Sequence, residues 1–496
     1  MRVLTDRFNY LFRSTKGLIL VAIALIALVT ALWGMLSGPL KEWGISAVAV
    51  QLYGMKLVEV EREGRIILLY HTIAMSVIAI LTYLTTALVR MKPQQQANIN
   101  ATITIGYITS LIFGLVFGYF GRNFVFHGLF VAGQVLVFFA GLQLAVALWP
   151  WRPEYRVTDP AYAHTRNGVD LERVAFFATA VVTLISSLFG AVAGSLYGNG
   201  FVTVLAENIV RQPLKTPLEL AVIGHLHIML ELIAVMLTLI VGRWLDFKGK
   251  LHHWAMPLMI IGTLIVACGV WAVVPFETIA HIIINVGALP TLFASWLLVW
   301  FGWRKITAAR LAERGIKQAS FGQKLSALLH DPLKFGMLWQ MIFMNLVVTA
   351  VGIFMAIRLD KAIRIWSLRD EQVSLTGHWH ILSGIIATII LLLYADMVQL
   401  KGKTRQWFGW SVIIASNIAF AAVTLFETKR LYVTEAAQQP LVDTVMLISD
   451  AGLVVVLIAL AALMVWRLID LFKPRGRWTA EAAETRLEDV VAEVKP

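Results

Sequence analysis

The chain has 496 residues, 59% of them hydrophobic and 15% charged, with a mean hydropathy of +0.76. A soluble globular chain carries about 25% charge, so a soluble enzyme is excluded and the length reads as one polytopic bundle in a bilayer. The formal net charge of +12 does not make the chain a nucleic-acid binder, because its basic residues lie between apolar segments with no run of five or more Lys or Arg.

Apolar stretches long enough to cross about 30 Å of hydrocarbon begin near Gly17, Ile66, Ala101, Val125, Val174, Leu218, Trp254, Glu277, Phe335, Gly377, Phe408 and Val445. The run from Gly17 to Ser37 has no small-residue cleavage site and is long enough to span, so it reads as the first helix rather than a signal peptide. The expectation is an all-α integral membrane domain over residues 1–476 with a charged tail at 477–496. With the N-terminus inside, the inner segments hold 29 of the 42 basic residues, and the positive-inside rule places both termini in the cytoplasm. The Trp303 to Lys334 connection is the most basic loop and has a topogenic or docking role. Cys268 is the single cysteine, which removes disulfide frameworks, CxxC redox motifs and covalent CxxCH haem attachment.

Seven of the eleven histidines, His71, His127, His225, His227, His281, His378 and His380, lie near the starts of even-numbered spans. Even spans run from outside to inside, so all seven sit at one depth in the outer half of the membrane. A lone histidine in a helix is as readily a satisfied core residue, but seven ionisable groups at one depth are expensive and point to function. Neutral imidazole is a common metal ligand. His164, His252, His253 and His330 fall on the opposite side among basic loop residues and read as structural.

The spacing repeats. His71 to His225 and His127 to His281 are 154 residues apart, and His225 to His378 and His227 to His380 are 153 apart. Four helices make one such period, so the chain reads as three four-helix arcs around a pseudo-threefold axis, over roughly 17–170, 171–330 and 331–476. Residues two apart on a helix point about 200° apart, so His378 and His380 face opposite sides of span ten. Haem iron takes one or two axial imidazoles in an apolar slot, and one such helix is placed to serve two cofactors.

The early His on span two, the His-x-His on span ten and the twelve-span plan resemble the haem-copper oxidase and nitric oxide reductase superfamily. The resemblance implies that His71 and His380 clamp a low-spin haem and that His378 is the proximal ligand of a second haem. Several motifs are similar to the nitric oxide reductase branch: His71-Thr72, the His227-x-x-x-Glu231 pair on one helical face, and Gly287-Ala288-Leu289-Pro290. Lys429-Arg430 resembles the basic pair that meets haem propionates, beside its plainer reading as an interfacial anchor. The sequence also departs from the family. Where active members carry a His-His pair on span seven, it reads Ala267-Cys268-Gly269-Val270-Trp271. The His-Pro-Glu-Val-Tyr pattern of span six and the membrane lysine of span eight are also missing, which argues against oxygen reduction of the familiar kind.

Two arrangements stay open. In one, His225 or His227 closes the second haem and the remaining span-six histidine pairs with His127 or His281 on a third, giving an electron relay through two or three non-covalent b-type haems near the outer face. In the other, His227, Glu231 and either His281 or Cys268 bind a non-haem iron beside an open haem, with Glu231 relaying protons for nitric oxide reduction. A secondary transporter is the alternative without haem, although the repeat is parallel and threefold rather than inverted. The expected electron donor is a quinol or a cytochrome c subunit, within a complex of a bacterial or archaeal cytoplasmic membrane. Arg358, Lys361, Arg364 and Arg369 are placed to anchor propionates or dock that partner.

Overall fold

Backbone N–H and C=O groups find no water in hydrocarbon, and an α-helix satisfies them within its own segment. A computed structural model describes residues 2–36, 43–57, 62–121, 123–197, 215–354 and 368–482, and every regular element among them is helical. Twelve helices are long and apolar enough to cross a membrane, so the chain is an integral membrane protein. They are α1 (Thr15–Leu36), α2 (Arg62–Leu88), α3 (Pro93–Tyr119), α4 (Phe124–Leu148), α5 (Leu171–Tyr197), α6 (Pro217–Trp244), α7 (Lys250–Trp271), α8 (Glu277–Glu313), α9 (Pro332–Phe354), α10 (Leu368–Met397), α11 (Gly402–Glu427) and α12 (Gln438–Phe472). Short helices at Arg2–Arg13, Ile45–Tyr53 and Phe321–Leu328 flank them.

Several spans begin one to two turns before their apolar stretch. α3 starts at Pro93 rather than near Ala101, α11 at Gly402 rather than near Phe408, and α12 at Gln438 rather than near Val445. Their polar first turns add nothing to hydropathy yet keep helical hydrogen bonds. In α3 the start is fixed by Pro93 at the first helical position and by the Gln95 side chain accepting from the Lys92 N–H.

Small residues bring neighbouring helices together. The most extensive helix pairs are α3 with α4, α7 with α8 and α11 with α12. A methyl at Gly133 would stand 2.4 Å from the Ser110 nitrogen, and one at Gly106 would stand 2.8 Å from the Val137 nitrogen. On α7 and α8, a methyl at Gly262 would stand 2.8 Å from the Gly287 carbonyl oxygen and one at Gly287 2.5 Å from the Val266 nitrogen; on α12, one at Gly452 would stand 2.6 Å from the Ala415 carbonyl oxygen. The second helix of each sequence repeat lies inward of these pairs, α2 packing on α6 and α6 on α10, with α10 also touching α1.

α9 contains a π turn at Phe343–Val348, inside which the Asn345 amide donates to Ser295 Oγ of α8 at 2.5 Å. An inserted residue rotates the following segment by about 100°.

Both chain ends lie on one face of the bundle. Arg7 donates to the Phe472 carbonyl at 2.8 Å and Tyr10 to Glu481 at 2.6 Å, while Arg467, 1% exposed, pairs with Glu481 at 2.7 Å and donates to the Tyr10 hydroxyl. Residues 477–482 of the charged tail are helical, and 483–496 lie outside the described residues. On the same face Trp244 donates to Asp396 at 2.8 Å, and Arg405 joins Asp396 at 2.6 Å to Asp331 at 2.5 Å. The turn from α6 to α7 runs through Asp246 at φ 50, a left-handed conformation that aspartate tolerates. Partial burial alone would raise the Asp246 carboxyl, but hydrogen bonds from Lys248, Tyr162 and Lys305 outweigh it and hold the pKa at about 2.

Two outcomes follow from this packing. Gly133→Ala and Gly287→Ala force backbones apart and lower unfolding stability in detergent by about 1–3 kcal/mol each, whereas Gly128→Ala, which meets nothing within 4 Å, leaves it unchanged. The depressed Asp246 pKa adds stability above the ordinary carboxylate value of 3.8 that is lost as pH falls toward 2. Thermal melts of Asp246→Asn therefore converge on the parent below pH 3 and fall beneath it at pH 5 to 7, by about 1 kcal/mol or less because the pair is exposed.

Candidate functional site

The start of α6 fixes where its two histidines fall. Pro217 follows Thr216, whose side chain accepts from the Glu219 N–H at 3.3 Å while the Glu219 carboxylate accepts from the Thr216 N–H at 2.7 Å. This capping box sets the helical register, and His225 and His227 come two to three turns later. Because the helices alternate in direction, the starts of α2, α4, α6, α8 and α10 share the face opposite the termini, and all seven predicted histidines lie there.

Around the meeting of α2, α6 and α10 the histidines form a ring of aromatic contacts. His71 faces His225 across α2 and α6, with ring centroids 6.4 Å apart and planes within 11°. His227 meets Trp379 edge-on across α6 and α10 at 5.9 Å and 82°. Tyr70 meets His380 across α2 and α10 at 5.3 Å, and its hydroxyl lies 3.1 Å from His380 Nδ1 and hydrogen-bonds Nε2 as well. The structure thus brings His71 to His225 and His380 to Tyr70.

The hydrogen bonds settle which nitrogens carry protons on α6. His225 Nδ1 lies 3.0 Å from the Ser186 carbonyl, and His227 Nδ1 lies 2.9 Å from the Ile223 carbonyl. A carbonyl only accepts, so both Nδ1 atoms are protonated and both Nε2 atoms keep a lone pair, the form in which imidazole binds a metal. Two imidazoles each about 2 Å from a shared metal have ring centres roughly 6 Å apart, which the His71 and His225 rings match. The His227 side chain is exposed. The Trp379 indole N–H beside it is buried with no hydrogen-bond partner among the described residues. His378 is turned toward α9, where a methyl on Gly352 would stand 2.9 Å from its Nε2.

The remaining predicted residues lie around this ring. His127 packs on Phe117 of α3 at 5.2 Å, and His281 is half-buried on α8 within electrostatic reach of His227. Glu231 is half-buried one turn below His227 and has no hydrogen-bond or ion-pair partner among the described residues. Among those residues no group of three or more His, Cys, Asp or Glu side chains is placed to hold a metal ion. Lys429 is buried with its ammonium 4.9 Å from the Phe426 ring. The side chains of Arg430 and Arg369, and the whole of Arg358, Lys361 and Arg364, lie outside the described residues. On the termini face His252 is fully buried and accepts from the Ala163 N–H at 2.9 Å.

Sequence reasoning passed over Tyr70 and the glycines that seat the rings, because a tyrosine or a glycine beside a histidine carries no signal until the helices are placed. It also missed Glu427, 3% exposed, whose Oε2 would stand 3.2 Å from a methyl on Gly377. An acid at the end of an apolar span was signal enough. No protein-family model matches this chain, and no curated protein matches it.

A methyl at Gly190 of α5 would stand 2.3 Å from the His225 ring. Gly190→Ala therefore displaces that ring from the Ser186 carbonyl, and the imidazole nitrogen resonances of His225 lose the fixed Nδ1–H pattern while those of His227 keep it.

Proposed function

We propose that this chain is a membrane haem protein that moves electrons through bis-histidine haems between a quinol or cytochrome c partner and other redox centres. The observation that carries the reading is the His71 and His225 pair, near-parallel rings 6.4 Å apart, with His225 already oriented by a backbone carbonyl. Haem supplies one-electron redox chemistry when bound. His71 and His225 would hold one haem between them, and His227 on α6 with His378 and His380 on α10 would supply further ligands. The resemblance to the haem-copper oxidase and nitric oxide reductase superfamily pairs His71 with His380 instead, which places the same ligand layer at the same depth. Trp379 and Tyr70 pack beside these histidines, and Lys429 with Arg430 would meet haem propionates.

The three-arc arrangement belongs to this reading. Its support is the recurrence of the extensive hairpin pairs every four helices and of their contact residues, Gly106, Gly262 and Ala415 on one side and Gly133, Gly287 and Gly452 on the other. The cytoplasmic placement of the termini is supported by the basic residues on their side, which puts the histidine layer toward the outside. The nitric oxide reductase reading has less support, because no cluster for a non-haem iron forms among the described residues.

Pyridine haemochrome stoichiometry with reduced-minus-oxidised spectra, taken with and without carbon monoxide, tests the proposal. Expected are two or three b-type haems with no gas-induced shift, and loss of one haem in His225→Ala. One gas-binding haem with non-haem iron by metal analysis would replace the relay with a catalytic centre at His227 and Glu231; absence of haem would sink both and favour a transporter.

A further inference from the structure

On the termini face, the ends of α2 and α6 and the connection from α4 to α5 enclose a cavity of about 100 Å³. Four arginines line it: Arg90 just past α2, Arg156 in the connection, Arg173 in the first turn of α5 and Arg243 in the last turn of α6. Glu154, Asp170 and Glu172 share its walls. What the cavity can hold depends on which of these charges are already paired with one another.

Two of the carboxylates are taken. Asp170 accepts from the Glu172 N–H at 2.9 Å at the start of α5, and Glu172 holds Arg243 at 2.6 Å. The arginines are not matched in the same way. Arg90 and Arg156 are exposed, and neither side chain has a hydrogen-bond or ion-pair partner among the described residues. Arg173 is 3% exposed, yet it forms no ion pair among those residues. Its guanidinium donates to the Arg90 carbonyl at 2.7 Å and to the Ala147 carbonyl at 2.5 Å, lies 3.5 Å from the Tyr155 ring centroid, and leaves Nε buried without a hydrogen-bond partner. Asp170 acts on it only from a distance, and Arg152 adds a further positive charge nearby. A buried charge without a counter-charge is costly, and an anion entering the cavity supplies one. Glu154, exposed and likewise unpaired among the described residues, is the one carboxylate left to oppose it.

Depth identifies what that anion belongs to. The cavity walls are the termini-side ends of spans, the level at which a bilayer presents its headgroups. The connection opens with Trp149 and Trp151, half-exposed indoles 4.8 Å apart that pack on Phe177 at 5.4 and 5.8 Å, and tryptophan gathers at that same level. At roughly 10–15 Å³ of free space per water, the cavity holds about seven heavy atoms, which is a phosphodiester with its two flanking carbons. Guanidinium groups pair with phosphate oxygens through parallel N–H donors, and a basic pocket between spans suits an anionic headgroup. We propose that this cavity binds the phosphodiester of an anionic phospholipid from the leaflet on the termini side, with Arg90 and Arg156 pairing with its oxygens and the buried Arg173 adding to the field that holds it. The bound headgroup fastens the end of α2 to that of α6, the helices that carry His71 and His225 toward their other ends. The site does not depend on the redox reading.

Native mass spectrometry of the full chain, released from nanodiscs of mixed phosphatidylglycerol and phosphatidylcholine, tests the site. Both lipids carry the phosphodiester, and only the first is anionic. Expected is retention of phosphatidylglycerol at least tenfold above phosphatidylcholine. The preference is lost when Arg90→Gln and Arg156→Gln are combined and kept when Arg90→Lys and Arg156→Lys are, since these preserve the charge. Lys317→Gln with Lys324→Gln, which removes the same charge from the Trp303 to Lys334 connection, is expected to keep it too. Equal retention of the two lipids by the parent overturns the proposal, as does a glutamine double variant that retains phosphatidylglycerol like the parent. Thermal unfolding separates lipid from free anion: phosphatidylglycerol raises the midpoint of the parent and not of the glutamine double variant, while inorganic phosphate added in phosphatidylcholine nanodiscs leaves the parent unchanged. If phosphate raises the parent midpoint as far as phosphatidylglycerol does, the cavity is a site for soluble anions and the lipid assignment falls.

Discussion

The backbones of α3 and α4 meet at Gly106 and Gly133, and those of α7 and α8 at Gly262 and Gly287, more closely than any side chain permits. In a bilayer, lipid tails are as apolar as leucine, so helices gain little from hiding apolar surface and associate through close contact. The outer pairs are thereby fixed, and the inner helices α2, α6 and α10 are left to meet at the centre. Their polar residues follow from that geometry. Imidazoles that would be costly against lipid are turned toward one another, and the ring of His71, His225, His227, Trp379, His380 and Tyr70 closes around the point where the three helices converge.

Much of this was legible in the sequence, and the remainder failed for identifiable reasons. Hydropathy located twelve spans, because a bilayer demands about twenty apolar residues wherever a helix crosses. The apolar stretches begin one to two turns after α3, α11 and α12 themselves do, because polar first turns are helical without being apolar. That the seven histidines lie toward the starts of even-numbered spans was legible in the sequence. Their partners were not. Residue spacing gives the angle between His378 and His380 on one helix but not how far that helix is rotated, and the π turn in α9 lies just before the segment that carries Gly352, which His378 meets.

Charged residues at the termini face show the same limit. Arg243 and Arg405 count in the sequence only among the basic residues that orient the chain. In the fold Glu172 is buried and paired, and Arg405 bridges two aspartates. A sequence reports that a charge stands near a membrane boundary; only packing reveals whether it faces water, a partner or a void. The polar layer at the termini face and the one opposite it are joined by α6, which carries Arg243 at one end and His225 and His227 near the other.

The buried contact among Tyr10, Arg467 and Glu481 ties the first segment of the chain to the last. The Arg2–Arg13 helix, with charged and apolar residues segregated on its surface, finds the carboxylate that Tyr10 meets more than four hundred residues further along the chain. Its docking therefore waits on the synthesis of the segment that carries Glu481, and a chain cut short before that residue lacks the contact that seats Tyr10.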